Sequence, residues 1–392
     1  MANKKLLIIA SIGLYLISTG ISYSVFSKTG IAGIGEKTVR PVDTIKQGND
    51  YEALEFDPTK PKTEECPLNG AKFSKDQRSW WEKHRPLGIM VENSQDARPQ
   101  SGLSFADVIY EAVVEGGITR FLSVFYCQDA GIVGPIRSAR TYFLDFISEY
   151  GANPLYAHVG GANTPGPADA LGQIVDYGWN VYNDLNQFSI GFPTFKRDES
   201  RLGRSVATEH TMYSTTSKLW KVGEQRNLTD KNEDGDSWDE EFVTYSFQDD
   251  GKVADRPASQ KATVVFWDSQ PHYTVIWTYD SSTNTYKRTN GDALHMDNNT
   301  KQQFAPKNVV ILFMRESRAN DGYEGNLHML YGTKGTGKAV ILQNGEEIRG
   351  TWKKAGREGR TTLTDSRGEE IEFVRGQIWF QVIATNSTVE VE

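Results

Sequence analysis

Apolar positions along this chain come in short bursts separated by polar and turn-forming residues. In the first half, runs of strand length fall at Leu87–Val91, Val108–Val114, Phe121–Tyr126 and Pro154–Val159, while Ala139–Tyr150 and Ala168–Asp176 read as helices. Strands interleaved with helices predict one mixed sheet with covering helices. From Ala262 onward the texture becomes β-rich, with runs at Ala262–Trp267, Tyr273–Tyr279, Val309–Phe313, Ala339–Leu342, Glu347–Trp352, Thr361–Leu363 and Ile378–Ile383. Asn344-Gly345 separates two of them and predicts a hairpin, because a type I′ turn needs positive φ at both central residues. Asn290-Gly291 and Arg367-Gly368 punctuate others. The expected fold class is α+β: an N-terminal α/β unit over 66–226, a polar connector over 227–261, and a mainly-β unit over 262–392.

The start of the chain has a different pattern. Leu6–Phe26 contains no charged residue and follows Lys4 and Lys5. A stretch of this length can cross a bilayer as one helix, and positive flanking charge keeps the short end inside. The expectation is a cytoplasmic residue 1–5, a membrane anchor over 6–26 and an extracytoplasmic linker over 27–65, rich in Gly, Pro and charge. A cleaved signal peptide is the competing reading.

Composition narrows the classes. Of 392 residues, 43 are Lys or Arg and 51 Asp or Glu, so the formal charge is −8 and phosphate-tracking nucleic-acid binding is not expected. The hydrophobic share of 38% with 36 glycines is ordinary for a globular protein, which excludes disordered, collagen-like and polytopic membrane classes. Outside the cytoplasm the two cysteines, Cys66 and Cys127, are expected to form a disulfide. Two unrelated buried thiols are the alternative.

Chemistry concentrates in residues 85–140. Glu92, Asn93, Asp107, Glu111, Glu115, Arg120, Arg137 and Arg140 interrupt apolar strands, and His158 precedes Gly160-Gly161 at the end of another. Polar groups gathered at strand ends are how α/β sheets build ligand sites, and guanidinium groups suit phosphate or carboxylate. Arg197, Arg201, Arg204 and His210 are candidates to line the same cleft. The alternative is a structural ion network among the same arginines and acids. Ser138 fits a helix cap; as a nucleophile it would need a base, for which His158 and His210 are the nearest candidates in sequence, with nothing to bring either close.

The segment from Asp230 to Glu241 has the spacing of a calcium loop, with Asp230, Asn232 and Asp234 at positions 1, 3 and 5, Gly235 at 6 and Glu241 at 12; Asp236 adds a further donor. Seven acids against one lysine give it a charge of −6. The readings are a structural Ca2+ staple and an acidic loop without an ion. The stretch GTKGTGK at 332–338 approaches a phosphate-binding loop but has Ala339 where Ser or Thr is required and leads into a strand, so no nucleotide or redox cofactor is expected. Trp267, Trp277, Trp352 and Trp379 read as core or half-buried sheet residues.

The stretches RPLGIMVEN, ARPQSGLSFADVIYEAVVEGGITRF, VGPIRSARTYF and HVGG, with TYDSSTNTYKR, NVVILF, GTGKAVILQNGEEIRGTWKK and GQIWFQVI, resemble the YerB-like family of bacterial envelope proteins. The resemblance covers most of the chain after Arg85 and implies an envelope location and two parts, each a domain of unknown function. It carries no catalytic residue. Lipidated members would bear a Cys after the signal, whereas here the Leu6–Phe26 span stands in that place. In layout, a strand, an A-D-x-x-Y strand, a further strand and an Arg-rich turn are also similar to the LytR-CpsA-Psr family. The leading expectation is a membrane-anchored, extracytoplasmic ligand- or partner-binding protein, with an anionic lipid-linked or glycan ligand or an envelope protein as partner. The alternative is an enzyme of phosphoglycan transfer, which requires two or more of Asp107, Glu111, Arg120, Arg137 and Arg140 within reach of one reacting atom.

Overall fold

A computed structural model describes residues 53–325 and 327–392. In chain order its main elements are α1 (Lys75–Trp81), β1 (Leu87–Glu92), β2 (Val108–Glu115), β3 (Ile118–Phe125), α2 (Thr141–Ile147), β4 (Leu155–His158), α3 (Ala170–Asp176), β5 (Asp184–Asn186), α4 (Gln187–Ile190) and α5 (Thr216–Gln225). The second half supplies β6 (Lys261–Val264), β7 (Val275–Asp280), β8 (Thr285–Asn290), β9 (Ala293–Leu294), β10 (Asn308–Met314), β11 (Gly335–Gln343), β12 (Glu346–Lys354), β13 (Thr362–Asp365), β14 (Ile378–Ala384) and β15 (Val389–Val391). Sheet predominates and helices are few, so the fold class is α+β.

Ten strands form one sheet in the order β13-β12-β11-β10-β14-β2-β3-β1-β4-β5. Five come from each half of the chain. The halves meet where β14 runs parallel to β2, with Ile378 opposite Val108 and Gln381 opposite Glu111. A smaller sheet, β9-β8-β7-β6-β15, includes the last strand of the chain.

The large sheet is covered on both faces, and strand alternation shows how. On β14, Phe380 stacks on Tyr110 of β2 at 4.7 Å, and Tyr110 in turn stacks on Phe146 of α2 at 4.7 Å. The neighbouring Trp379 faces the other way and meets Trp277 of the small sheet at 5.4 Å. Burial on both faces explains the near-continuous apolar runs of β2, β10 and β14. Tight turns close the hairpins. Gly116 and Gly117 both have positive φ between β2 and β3, and Asn344 and Gly345 do so between β11 and β12, as the sequence predicts.

Cys66 and Cys127 are joined as a disulfide, with Cα atoms 5.9 Å apart. The expected span over 6–26 and most of the linker over 27–65 lie outside the described residues. From Leu54 onward the linker is held to the body: the Leu54 N–H donates to Asp129 at 3.0 Å and the Phe56 ring lies 5.8 Å from Trp80. Among the described residues no helix is long and apolar enough to cross a membrane.

Candidate functional site

Strands β1, β2 and β4 are parallel, and each ends on an ionisable residue: Glu92, Glu115 and His158. Their carboxyl ends therefore share one edge of the sheet, where α/β proteins place ligands. The segment 135–139 threads across this edge. Its Arg137 N–H donates to Met90 O at 2.9 Å, while Val159 N–H donates to Arg137 O at 3.0 Å, so the backbone of Arg137 is clamped between β1 and β4.

Around this clamp the charges interlock. Arg120, near the start of β3, donates to Ser138 O at 2.9 Å and lies 3.5 Å from Glu115. Arg140 contacts Glu115 directly and donates to Ala139 O at 2.6 Å. Arg137 Nε is 3.4 Å from Glu92, whose other oxygen pairs with His210 Nδ1 at 2.9 Å. That bond to Glu92 raises the His210 pKa, and burial lowers those of Arg120, Arg137 and Arg140. Three guanidiniums and His210 are set against three carboxylates, those of Glu92, Glu115 and Glu209. The Nε groups of Arg120 and Arg140 are buried with no acceptor among the described residues. The edge therefore gathers buried charges of both signs in a place poor in water.

A cleft of about 660 Å³ opens beside it. It is lined by the polar Arg137, Ser138, Arg197 and Glu209, by the Gly160-Gly161 turn, and by the apolar Ile136, Val159, Leu171, Phe188 and Met212. Gly160 sits at φ 59°, and a Cβ there would come within 3.0 Å of the Phe188 ring, so glycine lets the ring close on the turn. Phe188 and Phe192 are 77% and 78% exposed, uncommon for phenylalanine. His158 does not line the cleft. It is a post beneath it, with Nε2 2.6 Å from Asp184 and Nδ1 2.6 Å from Gly160 O.

The remaining candidates lie elsewhere. Asp107 precedes β2 at the opposite end of the sheet, roughly 25 Å along the strand from Glu115. It accepts from Tyr126 N–H, Cys127 N–H and Asn69 beside the disulfide. Burial pushes its carboxyl up to about 7, against the pull of those donors. Glu111 and Asn93 are in the core. Glu111 pairs with Arg288 of β8 at 2.8 Å, both fully buried, and also accepts from Thr119, Trp379 and Gln381. Asn93 donates to Thr119 at 2.7 Å and accepts from Gln100 at 3.0 Å. Of the five candidates for phosphoglycan transfer, Arg120, Arg137 and Arg140 gather at this edge, with only Arg137 lining the cleft, while Asp107 and Glu111 lie away from it.

In the acidic segment Asp230 O accepts from Trp238 N–H at 3.0 Å, Asn232 and Asp236 bond each other, and Gly235 takes φ 91°. This small hairpin seats Trp238 against Tyr126 at 5.0 Å. Glu241 lines a separate cleft with Arg357 and Tyr177. Asp230, Asp234, Asp236 and Glu241 supply no set of three ligand atoms within one ion's reach; among the described residues only Cys66, Asp107 and Cys127 come so close, and there both sulfurs are in the disulfide.

The sequence reading named Arg197 and His210, and both reach this edge. It missed Phe188, Glu209 and the Arg288 partner of Glu111. Phe188 and Phe192 in NQFSIGFPTF follow no strand or helix period, and that irregularity was the available signal.

A sheet shared by two halves, with a cleft holding Arg137 and Arg197 at its carboxyl edge, defines a two-part α+β protein. Residues 73–229 match the model of the N-terminal domain, and residues 262–380 that of the C-terminal domain, of a family described as "Protein of unknown function (DUF3048)". The chain belongs to this family. It is 28% identical over 328 residues to the "Putative lipoprotein YerB" of Bacillus subtilis (strain 168), covering 83% of this chain and 88% of that protein. The crystal structure of the Bacillus subtilis YerB protein has the same fold, with a TM-score of 0.66 at 23% identity over 84% of this chain and all of that one.

Proposed function

We propose that this chain is an extracytoplasmic protein held at the membrane, and that its cleft binds the anionic head of a lipid-linked ligand. Kinship with a protein named as a lipoprotein and the apolar Leu6–Phe26 segment support the location. The observation that carries the ligand class is the mixed lining of the cleft, with Arg137 and Arg197 beside Phe188, Leu171 and Met212. The arginines match a phosphate or pyrophosphate, and the apolar side chains suit the first part of a hydrocarbon tail.

The test is calorimetric titration of the full-length protein in detergent with farnesyl pyrophosphate, beside inorganic pyrophosphate and farnesol. The expected result is saturable binding of farnesyl pyrophosphate, weaker binding of pyrophosphate, none of farnesol, and at least a tenfold loss in Arg137→Ala. A parent protein that binds none of the three refutes the reading.

A further inference from the structure

The stretch GTKGTGK at 332–338, left without a role by the proposed function, lies in the C-terminal half. Gly332 N–H donates to Arg315 O at 2.9 Å, and the chain turns there before β11 begins. The turn walls a groove of about 520 Å³, within the usual size of ligand sites. Arg315, Lys334 and Lys338 line it, together with Thr336 and Thr385. Phe313 and Trp352 form its floor. Gly337 is required for that floor: the Trp352 indole donates to Phe313 O at 2.9 Å across it, and a Cβ at 337 would lie 2.5 Å from the indole nitrogen.

No carboxylate lines the groove. Lys334 is paired with Asp145 of α2 at 2.7 Å, which fixes it in place and takes up its charge. The exposed side chains of Arg315 and Lys338 make no ion pair or hydrogen bond among the described residues. The two like charges stand uncompensated in the groove; the Thr385 hydroxyl beside them can donate, while that of Thr336 is spent on Trp352 O at 2.9 Å. In a chain of net charge −8, carboxylates are plentiful, so a groove without one is a local departure from composition.

We infer that this groove is a second binding site, independent of the cleft at Arg137, for a multiply charged anion held between Arg315, Lys338 and the hydroxyl of Thr385. The acid groups are phosphates or carboxylates, since a guanidinium fork and an ammonium receive both.

The experiment titrates full-length protein in detergent with tripolyphosphate and, separately, with tricarballylate. It is run on the parent, on Arg137→Ala, and on the double variant Arg315→Ala/Lys338→Ala. The expected result is saturable binding that persists in Arg137→Ala, weakens at least tenfold in the double variant, and falls as salt is raised. Binding of tripolyphosphate alone assigns phosphate, of tricarballylate alone carboxylate, and of both a general acid-group site. Absence of binding in Arg137→Ala, or equal affinity in parent and double variant, overturns the inference whatever happens with farnesyl pyrophosphate. The two substituted side chains are exposed, so an unchanged melting temperature verifies that the double variant is folded.

Discussion

Replacing Arg288 by methionine should destabilise the protein severely, because the residue sits where the two sheets meet. Its guanidinium is fully buried, 2.8 Å from the equally buried Glu111, and lies over the rings of Trp379 and Trp277 at 4.7 and 5.0 Å. Its Nε donates to His295 Nδ1 at 2.9 Å. In Arg288→Met the methionine fills most of the volume, but the Glu111 carboxylate keeps only the neutral donors Asn93, Thr119, Trp379 and Gln381. Breaking a buried pair from one side costs about 3–5 kcal/mol. At an m-value near the upper end for folded domains, about 3 kcal/mol/M in urea, a loss of about 4 kcal/mol moves the unfolding midpoint down by roughly 1.3 M. Urea titration followed in parallel by tryptophan fluorescence and circular dichroism reads this directly, since Trp277 and Trp379 flank the site. The second arm is Glu111→Leu combined with Arg288→Met, which removes the orphaned charge and should recover most of the loss. A single variant within about 1 kcal/mol of the parent, or a double variant no more stable than the single, would refute the argument that the pair is an electrostatic lock between the sheets.

Reducing the Cys66–Cys127 bridge opens a link between residues 61 apart, worth about 4 kcal/mol of chain entropy, so Cys66→Ser/Cys127→Ser should unfold at clearly lower urea; an unchanged midpoint would remove the bridge from the stability account. His84 is buried between Trp220 and Trp80, with Nε2 3.1 Å from Tyr126 O, and burial lowers its pKa to about 3. A depressed pKa means that the folded state binds fewer protons than the unfolded one. Its stability contribution is therefore complete above about pH 6.5 and lost as pH falls toward 3, and His84→Phe should flatten that part of the stability profile measured by urea titration at stepped pH. Phe188→Ser should weaken farnesyl pyrophosphate binding several-fold while leaving pyrophosphate unchanged; equal loss of both would place the ring outside the tail's path.

Much of the fold was readable because its strands are apolar on both faces. The bursts at Leu87–Val91 and Ile378–Ile383 correspond to β1 and β14, and Asn344-Gly345 closes its hairpin. The pairing of β14 with β2 was not readable. Parallel neighbours separated by 270 residues, Ile378 from Val108, share no turn whose chemistry could fix their register, and both strands look the same whether they share a sheet or not. The small strands at β5, β8 and β15 escaped for the opposite reason: polar runs such as TYKRTN in β8 are held by their neighbours rather than by their own pattern.

The candidate site shows what position along a strand decides. Composition alone put Glu92, Asp107, Glu111, Glu115 and His158 on equal terms, all ionisable and all beside apolar runs. In the structure, Glu92, Glu115 and His158 are the last residues of their strands and reach the carboxyl edge, whereas Asp107 stands before β2 and Glu111 in its middle. A shift of one residue also decides the face: Tyr110 turns to α2, and Glu111 turns to Arg288, 177 positions away. An ionisable residue closing a parallel strand is thus a site candidate. One in the middle needs a buried partner, and the arginine inside the polar run of β8 was the residue to look for.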